Sequence, residues 1–72
     1  MELLELEEKQ RLGREAAAAR LRALADALER HNGLSLERAG KRLDIRVPDQ
    51  VDFEIELEIE ADGGSLEVEL SW

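Results

Sequence analysis

The chain has 72 residues, a formal net charge of −8 and no cysteine. That length makes one domain, residues 1–72, near the lower limit at which an apolar core outweighs chain entropy without a staple, a metal or a second subunit, so self-association is expected. Lack of thiols excludes a disulfide framework and the commonest structural zinc sites, and the negative balance disfavours basic-patch binding to nucleic acid or to anionic membranes.

The opening MELLELEE is acidic where a secretory signal would be basic and then apolar, and no apolar run approaches the ~18 residues that span a bilayer. A soluble, cytoplasmic protein is the expectation. Leu4 and Leu6 alternate with Glu5 and Glu7, the period of a half-buried edge strand, although Leu3 breaks the pattern. Next comes GREAAAARLRALADALERHNG, rich in residues that lose little on becoming helical. Ala17, Leu21, Leu24 and Leu28 recur at i, i+4, i+7 and i+11 and form one apolar stripe, with Ala25 at its margin. Asp26 and Arg30 are spaced for an i,i+4 pair. Asn32 and Gly33 suit the left-handed conformation that ends helices, whereas Gly13, the N-cap candidate, has no side-chain acceptor. The stretch from 9 to 31 carries six bases against three acids, so a mildly basic middle is flanked by strongly acidic ends.

Residues 34–47 read as two short strands around Ala39-Gly40, with Leu34 and Leu36 on one side and Leu43, Ile45 and Val47 on the other; Pro48 ends the second. In the closing stretch, VDFEIELEIEADGGSLEVELSW, acids alternate with apolar residues along two strands. Asp62-Gly63 or Gly63-Gly64 would make the tight turn. The first choice sets Phe53 opposite Trp72, the second Ile55 opposite Trp72, and neither swaps the faces of the ribbon. One strand, a helix and four strands make an α+β fold, with an antiparallel sheet of four to five strands in the order β-α-β-β-β-β and one amphipathic helix on its apolar face. Leu21, Leu24, Leu28, Ile45, Phe53, Ile55, Leu57, Val68, Leu70 and Trp72 are the expected core.

Both turn choices oppose glutamates across the final ribbon, and like charges directly opposite each other destabilise a sheet. Arg42 and Arg46 lie on the polar side of their own strand and would interleave with Glu54, Glu56, Glu58, Glu67 and Glu69 if that strand neighbours the ribbon. This face is then mainly a solvated one, which also limits edge-to-edge aggregation. A calcium site would need loop carbonyls and a tight turn that a flat sheet does not offer, so no metal ligands are assigned. A basic surface, on a partner or on another copy's helix, is the other candidate occupant.

Catalysis finds little support. His31, the one histidine, falls in the last helical turn and reads as a helix-end partner rather than a base. Ser35, Ser65 and Ser71 lie in no G-x-S-x-G elbow, and Gly63-Gly64 opens no helix as a phosphate loop would. Paired carboxylates acting as acid and base need unlike environments and a cleft. Trp72 shares the parity of Leu66, Val68 and Leu70, which makes it an inward residue before it is an exposed anchor.

VDFEIELEI at 51–59, the acidic and glycine turn, LEVELSW at 66–72 and the preceding REAAAARLRALADALE helix at 14–29 together resemble the amphi-Trp domain family, named for a C-terminal amphipathic strand that ends in tryptophan. The resemblance spans nearly the whole chain. It implies a stand-alone domain, supports the α+β fold and carries over no catalytic residues. The expected function is therefore a non-enzymatic interaction or structural module, without cofactors, that self-associates or binds a partner protein. The alternative is a cation-binding or acidic-mimic protein using the glutamate face.

Overall fold

A computed structural model describes the backbone of residues 1–72 and every side chain but that of Arg38. The fold is α+β: one helix, α1 (Arg14–His31), followed by β1 (Gly33–Arg38), β2 (Lys41–Arg46), β3 (Asp52–Glu60) and β4 (Gly63–Ser71). Among the described residues, no helix is long and apolar enough to cross a membrane.

Helix α1 has the ends its sequence dictates. Gly13 caps the start with an extended backbone and no side-chain hydrogen bond, while its carbonyl accepts from the Ala17 N–H at 2.9 Å. Asn32 closes the other end in the left-handed region, at φ 55 and ψ 32, where its short polar side chain is tolerated better than most. The ion pairs of the helix are not the expected Asp26–Arg30. Arg20 instead reaches back to the N-terminal segment, donating to Glu8 at 2.6 Å and to Gln10 at 2.5 Å. That segment holds no strand, correcting the first of the expected elements: residues 1–13 have no ladder partner. Side chains tether them, with Leu6 half-buried in a shallow recess beside Leu36 and Glu37.

Strands β1 and β2 form a hairpin in which Leu34 pairs with Ile45 and Leu36 with Leu43, so one face is apolar. The Ala39-Gly40 turn has φ of 54 and 77, the mirror-image geometry whose twist matches a two-residue hairpin. The Val47 N–H donates to the Asn32 carbonyl at 3.0 Å and ties the ladder to the helix end. Among the described residues Gly33 is the one buried in this region, and a Cβ there would collide with the Ile45 carbonyl oxygen. Its role is close strand approach, not the helix cap.

The second hairpin differs from expectation in its register, its turn and its sheet. Its register sets Phe53 opposite Leu70 and Ile55 opposite Val68, two residues away from the nearer of the anticipated pairings. The loop is Ala61-Asp62, and neither residue takes a positive φ, so the glycines that follow sit inside the strand rather than in the turn. More consequentially, β3–β4 is a separate two-stranded sheet, not part of a single four- to five-stranded one. Pro48 has no N–H to continue the β2 ladder, and the link through residues 47–51 leads β3 away from it. Helix α1 packs its backbone against β1 and not against β3 or β4.

Among the described residues, no apolar side chain is fully buried. Ala17, Ala18, Ala27 and Leu28 of the helix, with Leu34, Leu36, Leu43 and Ile45, are half-buried and make the best-packed region. Of the expected core only Leu28, Ile45 and Leu70 reach that level; Leu21, Leu24, Phe53, Ile55, Leu57, Val68 and Trp72 are exposed. The radius of gyration is 14.3 Å, against about 11 Å for a compact domain of this length.

Candidate interaction surface

Alternation along β3 and β4 puts acids on one face of the ribbon and apolar side chains on the other. On the acidic face, Glu54 lies opposite Glu69 and Glu56 opposite Glu67, while Glu58 faces Ser65. Among the described residues, no cation lies within ion-pair distance of these glutamates. The expected interleaving by Arg42 and Arg46 does not occur, because β2 does not neighbour β3 or β4. Arg42 serves its own hairpin. Its Nε donates to Asp44 Oδ1 at 3.2 Å and its Nη2 to Ser35 Oγ at 3.3 Å, while the Ser35 hydroxyl donates to Asp44 at 2.6 Å. The Ser35 hydrogen bond holds the Asp44 carboxyl below the ordinary aspartate range against an opposing desolvation, with the Arg42 charge and hydrogen bond adding to the lowering. This exposed trio lies on the polar side of β1–β2 and orders that face.

Among the described residues, no three His, Asp or Glu side chains converge on a point that could hold a metal ion. A shallow, polar depression at the hairpin tip, lined by Glu58, Glu60, Asp62 and Ser65, is open to water.

The apolar face carries the more informative geometry. Leu21, Leu24, Ala25 and Leu28 of α1, with Leu34, look across an open groove of ≈ 430 Å³ at Phe53, Val68, Leu70 and Trp72. The helix stripe therefore does face the base of the ribbon, but across a gap that the two do not close. His31 does not line it. Beyond the groove the ribbon projects alone, with Leu57 67%, Leu66 61% and Ile59 75% exposed. Leu66 and Ile59 were legible as apolar members of the alternation, but their part in a continuous exposed strip depends on the separation of the two sheets.

No curated protein and no solved structure matches the chain. A tryptophan at the end of an amphipathic strand, opposite a helix stripe and preceded by an acidic-apolar ribbon, is nevertheless a recognisable combination, and the Amphi-Trp domain model matches residues 1–72: the chain belongs to that family.

Proposed function

We propose that this protein is a non-enzymatic interaction or structural module whose working form is self-associated. The carrying observation is the extent of exposed surface, large apolar side chains included. The chain exposes 7165 Å², whereas a compact monomer of its 8.1 kDa exposes about 4,500 Å². The excess, about 2,700 Å², is of the size that one subunit contributes to a large obligate interface. Each large apolar side chain buried there gains ~1.5–3 kcal/mol, a major share of a stability that totals ~5–15 kcal/mol for most domains. The free edges of both hairpins also give association a route to the sheet of four or more strands that one chain does not form. A cytoplasmic setting without cofactors belongs to the same reading, and the net charge of −8 disfavours nucleic acid and anionic membranes as partners. Sedimentation equilibrium tests it. Mass above the monomer at micromolar concentration is expected, and a strict monomer that is nonetheless folded at millimolar concentration would overturn it.

The unpaired glutamate rows favour a second reading, a cation-binding or acidic-mimic face built from Glu54, Glu56, Glu58, Glu67 and Glu69. Calcium at a hundred times the dissociation constant of a specific site adds ~2.7 kcal/mol to stability. A melting midpoint that stays put across a calcium titration rejects that site.

A further inference from the structure

We infer that the groove between α1 and the base of the β3–β4 ribbon is filled by a second copy of this chain, whose projecting ribbon lays Leu57, Ile59 and Leu66 over Leu21, Leu24 and Trp72. This rests on the self-association proposed above and specifies its geometry.

Three observations lead to it. The groove is open and almost wholly apolar, and nothing among the described residues closes it. The side chains able to fill it, Leu57, Ile59 and Leu66, are each more than half exposed, yet they cannot reach their own groove. Leu57 lies four residues and Ile59 six residues beyond Phe53 along a continuous ladder, which is roughly 13 and 20 Å of extended strand. A paired ribbon does not fold back over that distance, so the filling must come from another molecule. If the ribbon of one copy seats in the groove of the other, a two-fold axis makes the reverse contact identical and the assembly closes as a dimer.

Charge selects this arrangement over ribbon stacked on ribbon. Residues 52–71 hold eight acids and no base, whereas residues 9–31 hold six bases against three acids. Seating a ribbon on the helix brings a wholly acidic element to a net basic one, while stacking two ribbons brings two wholly acidic elements together. The excess exposed area provides for an interface of this extent.

Cross-linking tests the geometry, since the native chain has no cysteine. Leu57→Cys and Leu21→Cys chains, refolded together and oxidised, should give a mixed disulfide dimer in high yield, and Leu57→Cys alone should give little. In parallel, Leu57→Glu should weaken dimerisation at least about 30-fold, the effect of losing a central anchor, while Asp44→Asn on the polar side of β1–β2 leaves it unchanged. A native chain that associates, yet cross-links through Leu57 to Leu57 or not at all between Leu57 and Leu21, overturns the groove-docked dimer alone. A native chain that stays monomeric overturns the self-association as well.

Discussion

Ala39 stands at φ 54 in the first hairpin turn, where a Cβ crowds the backbone, beside Gly40 at φ 77, where none does. Asparagine and glycine accept that conformation readily, so Ala39→Asn or Ala39→Gly should raise stability by about 0.5–1 kcal/mol in urea unfolding, and Gly40→Ala should lower it by a similar amount. Gly33 makes the opposite case. A Cβ there would clash with the Ile45 carbonyl oxygen, so Gly33→Ala should cost about 1–3 kcal/mol through displacement of β1 from β2, whereas at Gly63, which has open space and no positive φ, the same change should be close to neutral. Asp44 supplies a pH signature. Its folded pKa lies below the ordinary value, so its contribution is present above the unfolded pKa, about 3.9, and is lost as pH falls through the lower folded one. Ser35→Ala removes the main cause, and the Asp44 carboxyl resonance in an NMR titration should then move at higher pH than in the native chain.

At the scale of elements, the acidic ribbon shows what local pattern does and does not encode. The positions of both hairpins and both ends of α1 were legible, because Asn32, Ala39-Gly40, Pro48 and the strict alternation from Phe53 onward act through their own backbone preferences. Register was not. A shift by two residues leaves every side chain on its face, so alternation is blind to it, and the glycines at 63 and 64 drew the expected turn toward themselves although Ala61-Asp62 makes it. Nor was the division into two sheets, since it depends on the course of the chain after Pro48. The observed register makes Glu56 and Glu67 direct neighbours. Glu56→Lys should therefore turn a repulsion into an attraction and raise the melting midpoint by the equivalent of ~0.2–1 kcal/mol, a gain that fades in molar salt. A change at Glu58, whose opposite number is Ser65, should do less.

For the whole molecule, the decisive quantity is how its stability depends on concentration. Composition placed the chain at the limit of independent folding, and the structure adds why the limit matters: the half-buried cluster of Leu28, Leu34, Leu36, Leu43 and Ile45 lies between α1 and the first hairpin, while the more apolar closing ribbon contributes little to it. If burial of Phe53, Leu57, Val68 and Trp72 happens between copies, folding and association are one equilibrium, and unfolding of a dimer releases two chains. Each tenfold rise in concentration then adds ~1.4 kcal/mol per dimer by mass action. Spread over an unfolding entropy of about 2.1 cal/mol/K per residue for both chains, this raises the melting temperature by roughly 4–5 °C per decade. Calorimetry from 10 μM to 1 mM reads that slope directly. A flat melting temperature across the two decades would mean that the ribbon's apolar face contributes nothing between copies, and that the first hairpin and α1 hold the fold by themselves.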